Sequence, residues 1–129
     1  ELFLKLNEYR KSKGLPEMVI SSELMAAEQQ RAKESAVSFE HTRPDGQAFY
    51  TVNNITNNYI GVSEILTMDN SSSTDIKITS FKNSPKHNEL MLQSEGFIEN
   101  VPASTIYAGV GYYYSNGFYY VAMLFGHQK

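Results

Sequence analysis

Two alternating, aromatic-rich runs in the last quarter of the chain constrain its fold more than any other feature. The first run covers residues 105–114 and the second covers residues 117–125, with Ser115-Asn116-Gly117 at the junction. Asn-Gly between such runs is a strong signal for a tight hairpin, because both residues tolerate a positive φ. We therefore predict an antiparallel β-hairpin here, which needs a layer of other elements to cover its apolar side chains.

The chain before the hairpin is dominated by helical patterns. Residues 2–13 have apolar side chains at helical spacing and are followed by Gly14, which favours a left-handed cap. Ser21 or Ser22 is positioned to cap a second helix, and Ser84-Pro85 to open a later one. Further helices are predicted over residues 22–38, 48–55, 76–82 and 85–92. Helices first and a hairpin last predict the α+β class, with helices packed on an antiparallel sheet.

Composition excludes several classes of protein. The 129 residues are 41% apolar and 19% charged, as in an ordinary globular domain, and their net charge of −3 argues against nucleic-acid binding. No apolar run is long enough to cross a bilayer. Cysteine is absent, which excludes disulfides and thiolate chemistry. We expect one domain over residues 1–129. Because helical spacing already begins at Leu2, we expect the chain to be a fragment of a longer protein.

Two histidines and one acid are the best candidates for chemistry. His41 lies in a Phe-Glu-His-Thr-Arg-Pro-Asp-Gly segment at the end of a helical pattern, and His87 lies in the first turn of the helix opened by Ser84-Pro85. Glu64 is the only carboxylate in the apolar run between them. A helix N-terminus disfavours imidazolium, so we expect a neutral, ligand-competent His87. His127, near the end of the chain, is expected to be solvated.

These three residues allow more than one interpretation. Two imidazoles and a carboxylate can hold a divalent cation such as zinc. Each histidine could instead cap a helix end or bond a loop carbonyl. Glu64 could be a ligand, a general base or an acceptor that orients a histidine. The sequence contains no glycine-rich phosphate loop and no nucleophile elbow, which disfavours those enzyme classes.

Several short motifs occur in the order found in bacterial CAP domains. The chain therefore resembles the superfamily of cysteine-rich secretory proteins, antigen 5 and pathogenesis-related 1 proteins, also called SCP-like, over essentially its whole length. The motifs that carry the resemblance are residues 7–10 (Asn-Glu-Tyr-Arg), 14–16 (Gly-Leu-Pro), 22–24 (Ser-Glu-Leu), 41–46 (His-Thr-Arg-Pro-Asp-Gly), 81–87 (Phe-Lys-Asn-Ser-Pro-Lys-His), 109–111 (Gly-Val-Gly) and 119–121 (Tyr-Tyr-Val).

The resemblance implies a fold and a site. The fold would be an α-β-α sandwich around a three- to four-stranded antiparallel sheet flanked by helices. The family's groove is lined by two histidines, which match His41 and His87, and by two acids, of which the first matches Glu64. The second acid has no counterpart, since Ser84 stands in its place. Glu64 is followed by Ile65, where the family usually has asparagine.

The resemblance also implies an exported bacterial protein, secreted or at the cell surface. We expect a binding or interaction module for an extracellular protein or small molecule, with a cleft able to hold zinc or another divalent cation through His41, His87 and Glu64. The missing second acid and the absence of an activated nucleophile favour this over an enzyme. The alternatives are a metal-dependent, protease-like hydrolase with Glu64 as general base, a lipid or sterol carrier, and a structural or adhesive protein.

Overall fold

The computed structural model describes residues 1 to 129 and contains helices on both faces of one sheet. Each helix and strand is named here in chain order. The helices are α1 (Leu2–Ser12), α2 (Ser22–Val37), α3 (Thr74–Asn83) and α4 (Pro85–Met91), with a 3-10 segment at Phe49–Asn57; the strands are β1 (Val19–Ile20), β2 (Tyr59–Asp69), β3 (Tyr107–Ser115) and β4 (Phe118–Gln128). No helix combines the length and the apolar character needed to cross a membrane.

The sheet has the strand order β1-β3-β4-β2. β3 and β4 form the predicted hairpin, whose turn residues Asn116 and Gly117 have φ values of 50° and 84°. β2 pairs antiparallel with the other side of β4. The two-residue β1 joins the free edge of β3 in parallel, so the sheet is mixed although its three long strands are antiparallel. The α+β class and the α-β-α sandwich are confirmed.

The central strand β4 is buried on both faces, and its alternate side chains enter two different cores. Val121, Met123 and Phe125 point toward α1, α3 and α4. Ala122 and Leu124 point toward α2 and the 3-10 segment. The larger core contains Leu2, Leu6, Met18, Ile65, Ile78, Phe81, Met91, Ile106, Ala108, Val121, Met123 and Phe125. β4 is therefore the strand whose two faces contact both sets of helices.

On the opposite face, α2 lies in backbone contact with β3. A Cβ atom added at Gly109 would lie 2.2 Å from the carbonyl carbon of Leu24, and one at Gly111 would lie 1.9 Å from the carbonyl oxygen of Glu28. Any larger side chain at either position would therefore force α2 to shift away from β3. The N-terminus of α2 is capped by Ser21, whose hydroxyl accepts the backbone N–H of Leu24 at 3.2 Å. This close packing places the inward face of α2 directly over the sheet.

Two local expectations differ from the structure. The segment predicted as a third helix is 3-10 in type and is interrupted by Asn53 and Asn54, which have left-handed φ values of 49° and 54°. The prediction of a solvated His127 is wrong. His127 belongs to β4, is 1% exposed, and its Nδ1 lies 3.0 Å from Ser104 Oγ. The loop before β3 covers it, a contact that the local sequence does not reveal.

Candidate functional site

His41 is held by the loop that leaves α2. Its backbone carbonyl accepts the N–H of Phe49 at 2.9 Å, and a bridge between Thr42 and Ala48 closes the loop. Gly46 takes the left-handed conformation of the predicted Pro-Asp-Gly turn, with φ 87°. The imidazole lies edge-on to the Phe49 ring at a centroid distance of 5.9 Å and is half exposed. The loop therefore presents one face of the histidine to solvent while fixing its backbone.

The buried face of His41 contacts Glu64. His41 Nδ1 lies 3.1 Å from Glu64 Oε1, and the Glu64 side chain on β2 is fully buried. An ionised carboxylate can only accept hydrogen bonds, so Nδ1–H of His41 is the donor in this contact, and the neutral imidazole that makes it is the Nδ1–H tautomer. The free lone pair of His41 is then on Nε2.

Arg31 donates hydrogen bonds to both carboxylate oxygens of Glu64. The guanidinium donates from Nε to Oε2 at 3.0 Å and from Nη2 to Oε1 at 2.9 Å, and it is fully buried. Nη2 also donates to the carbonyl of Glu40 at 2.8 Å. This bidentate pair ties α2 to β2 and to the loop that carries His41. Arg31 therefore fixes both partners of the His41–Glu64 contact.

A second ion pair, between Arg43 and Glu34, connects the loop that carries His41 to α2. Arg43 Nη2 donates to Glu34 Oε2 at 2.8 Å, and Arg31 Nη1 donates to Glu34 Oε1 at 3.0 Å. Burial alone would raise the pKa of Glu34, but hydrogen bonds from Arg43, Gln30 and Arg31 outweigh it and lower the pKa to about 2. Arg43 belongs to the turn after His41, so the carboxylate of Glu34 anchors that turn to α2.

His87 lies on α4, with its ring edge-on to Phe81 at a centroid distance of 5.5 Å. Burial lowers its pKa, and the nearby His41 lowers it further. Both effects favour the neutral imidazole, and burial is the main cause in place of the helix end from which the sequence led us to expect it. The charge of His41 is one cause of this shift, so the two histidines, 46 positions apart in the sequence, lie within electrostatic reach of each other.

The metal site that the resemblance implies would need three or four ligand groups around one point. No three histidine, aspartate or glutamate side chains are arranged to hold a metal ion. Both oxygens of Glu64 accept N–H groups from Arg31, and one also faces His41. The imidazoles of His41 and His87 are the two groups with nitrogen lone pairs to offer. These side chains therefore do not form the three- or four-ligand set of a typical zinc site, and Glu64 lies behind His41 as a hydrogen-bond acceptor.

Sequence reasoning missed four charged residues around the His41–Glu64 contact. Glu28 is fully buried on α2, and neither of its carboxyl oxygens has a hydrogen-bond donor. Burial and then the charge of Glu64 raise its pKa well above the usual range. The available signal was the three-residue spacing of charges on the inward face of α2, which follows apolar Leu24 and Ala27. The four residues are Glu28, Arg31, Glu34 and Arg43.

Comparison with known proteins gives one sequence family and several similar folds. The pattern of the CAP family, described as the cysteine-rich secretory protein family, matches residues 3–96. No curated protein matches the chain by sequence. An outer surface protein from Borrelia burgdorferi superposes with a TM-score of 0.76 at 18% identity, covering 99% of this chain and 90% of that one.

Two longer bacterial proteins contain the same fold. An extracellular protein with an SCP domain from Bacillus anthracis gives a TM-score of 0.69 at 16% identity, covering 95% of this chain and 38% of that one. A cysteine-rich secretory protein from Staphylococcus aureus gives 0.61 at 18% identity, covering 97% of this chain and 36% of that one. This chain therefore spans little more than a third of these two relatives.

Proposed function

The chain belongs to the cysteine-rich secretory protein (CAP) family, and from this premise we propose that it is an extracellular or surface-exposed binding module. Its structural neighbours include an outer surface protein and an extracellular protein, which supports this location. The ligand site is the surface between His41 and His87. That surface is suited to a divalent cation, alone or as a bridge to a partner's acidic or imidazole group.

The observation that carries this proposal is the buried arrangement in which Arg31 holds Glu64 and Glu64 orients His41. Orienting carboxylates behind ligand histidines fix the tautomer and raise ligand basicity. His41 would offer Nε2, and His87 would offer its own ring nitrogen because burial favours the neutral form. A bound cation would supply a Lewis-acidic centre with coordination positions open to a partner's oxygen or nitrogen.

The same contacts weigh against a metal-dependent hydrolase with Glu64 as general base. A general base needs a free lone pair within reach of the proton it removes. The Glu64 side chain is fully buried, and its oxygens already accept bonds from Arg31 and His41. Glu64 is therefore better suited to orienting His41 than to receiving a proton from water.

Calorimetric zinc titration at neutral pH tests the proposal. We expect the parent chain to bind zinc, and both His41→Ala and His87→Ala to abolish binding. Glu64→Gln should weaken it by about 10- to 100-fold, because the histidine loses its orienting charge. Lys86→Ala, beside His87 but exposed, is the matched control and should bind normally. Absence of binding to the parent chain, or unchanged binding in both histidine variants, would refute the cation site.

A second candidate function, lipid carriage, is supported by a separate apolar groove. The groove has a volume of about 620 Å³ and lies between α1, β1, α2 and the edge of β3. Its apolar wall is formed by Leu2, Phe3, Leu4, Ile20, Met25, Val110 and Tyr112. We expect a fluorescent fatty acid to bind here if the protein carries lipids, and Val110→Lys to abolish that binding. No binding by the parent chain would exclude the carrier function for this ligand class.

A further inference from the structure

Lys77 is the one lysine of the chain whose side chain is fully buried, and it is paired with an aspartate. Its Nζ lies 2.8 Å from Oδ1 of Asp69, the last residue of β2, and also donates to the carbonyl of Ser71. The rings of Tyr119 and Tyr112 cover the amine, with centroids 5.1 and 5.7 Å from Nζ. A primary amine on α3 is therefore held against a carboxyl group in a place closed to solvent.

The two carboxylate oxygens of Asp69 differ in their contacts. Oδ1 accepts the main-chain N–H of Ser71 at 2.9 Å in addition to the amine of Lys77. Oδ2 is buried and has no hydrogen-bond donor. An ionised carboxylate with one buried oxygen unpaired loses hydration that nothing replaces. The pair therefore differs from that of Arg31 and Glu64, in which each carboxylate oxygen has a donor.

We infer that Lys77 and Asp69 are the site of a covalent cross-link, an isopeptide (amide) bond between Nζ and Cγ that forms within the folded chain. The ammonium and the carboxylate together contain the atoms of the amide and of one water molecule, so the step needs no other reactant. The Nζ–Cγ bond forms and the Cγ–Oδ2 bond breaks. Two of the three ammonium protons pass to Oδ2, which leaves as water with the electron pair of the broken bond. The third proton stays on the nitrogen, and Oδ1 becomes the amide oxygen.

Three features of the site favour the condensation. The hydrogen bond between Nζ and Oδ1 leaves the nitrogen about 3.5 Å from Cγ, close to the separation of reacting atoms in a near-attack geometry. The N–H of Ser71 at Oδ1 stabilises the negative charge that this oxygen gains when the nitrogen adds to the carbon. Hydration of the free ammonium and carboxylate opposes amide formation in water, and burial removes that hydration. The same burial excludes the water that hydrolysis of the amide would need.

The cross-link joins the end of β2 to α3 in a chain that contains no cysteine. β2 is the strand at one edge of the sheet, and α3 belongs to the helices on the apolar face. The bond therefore ties an edge strand to the helix layer that covers it, as a disulfide does in other proteins. The inference is independent of the proposed function, because no hydrogen bond links these groups to His41, Glu64 or His87.

Mass spectrometry of the intact chain tests the inference, after the folded protein has been kept at neutral pH and then denatured. We expect the parent chain to be lighter than its sequence by the mass of one water molecule. Lys77→Arg should have its full sequence mass, because the guanidinium keeps the charge but does not form the amide. Lys82→Arg, an exposed position on the same helix, is the matched control and should lose water like the parent. A parent chain with its full sequence mass would overturn the inference, whether or not any variant folds.

Peptide analysis of the same samples locates the loss. Trypsin should not cleave after Lys77 in the parent chain, and fragmentation should give no sequence ions from the bonds between residues 69 and 77, because those residues form a closed ring. Asp69→Asn should reach the same final mass as the parent, since ammonia then leaves in place of water. A water loss located elsewhere, such as a succinimide at Asp45-Gly46, would overturn the inference, as would normal cleavage after Lys77.

Discussion

The two faces of the sheet are closed by different chemistry. Toward α1, α3 and α4, large apolar side chains such as Phe81 and Met91 fill the space against β4. Toward α2, the helix rests on Gly109 and Gly111, and fully buried Arg31 and Glu64 occupy the layer between helix and strand. Stability on the apolar face depends on side chains that fill the space, whereas stability on the α2 face also depends on each buried charge having an oppositely charged partner. His41 lies where the second kind of packing reaches the surface, whereas His87 lies on α4 against Phe81 of the apolar face.

The largest expected effect comes from breaking the charged face at Arg31. Arg31→Leu leaves Glu64 and Glu34 without their buried partner, which should destabilise the protein by about 3–5 kcal/mol. Urea denaturation at neutral pH measures the loss. Lys5→Ala, which breaks the exposed ion pair of Lys5 with Asp75, is the control and should leave the midpoint unchanged. Equal effects of the two substitutions would contradict the difference between buried and exposed pairs.

A comparable loss is expected on the apolar face, but with a different pH profile. Met91 is fully buried in the larger core, and Met91→Ala should cost about 3 kcal/mol through lost burial and a residual cavity. No ionisable group is involved, so the difference from the parent chain should be the same at neutral and mildly acidic pH. A strong pH dependence would show that the two faces are not energetically separate.

Even the addition of one methyl group between α2 and β3 is expected to destabilise the protein. Gly111→Ala places a methyl group against the Glu28 carbonyl, so the helix must shift, at a cost of about 1–3 kcal/mol. Gly96→Ala is the matched control, because its nearest neighbour would be Ala103 Cβ at 3.8 Å. Thermal unfolding of both variants checks the prediction, and equal melting temperatures would refute it.

The smallest expected effect is a loss of stability in acid that depends on Glu34. Its pKa in the folded protein is lowered to about 2, below the ordinary value of 4.5. The folded state therefore binds this proton less readily than the unfolded chain does, and stability falls as the pH drops from 4.5 toward about 2. We expect a loss of about 1–2 kcal/mol in this window, less than the full pKa difference corresponds to because solvent partly screens the pair, and we expect no such loss in Glu34→Gln. Acid titration followed by circular dichroism measures it.

Features set by neighbouring residues could be predicted from the sequence. Asn116-Gly117 specifies its turn locally, and Ser84-Pro85 opens α4 one turn before His87. The α+β class follows from the order of such local patterns. His41, Glu64 and His87 were identified as candidates, and the fold places His41 against Glu64 with His87 nearby.

Features set by distant residues could not be predicted in this way. Whether Glu28 and Arg31 face solvent or the sheet depends on Gly109 and Gly111, some eighty positions later in the chain. An arginine on a helix is usually exposed, so propensity gives no hint of the buried pair. The burial of His127 could not be predicted for the same reason, since the residues that cover it belong to the loop before β3. These contacts exist only after the sheet has formed.

The position of β4 in the sheet has a consequence for the order of events during synthesis. β4 lies between β3 and β2, yet it is the last of the four strands to be made. Until residues 118–128 emerge from the ribosome, β2 has no strand partner and neither core has its central layer. Pairing of β2 with β4 also closes a long loop, which slows folding. The three long strands can therefore pair into one sheet only after the last of them has been translated.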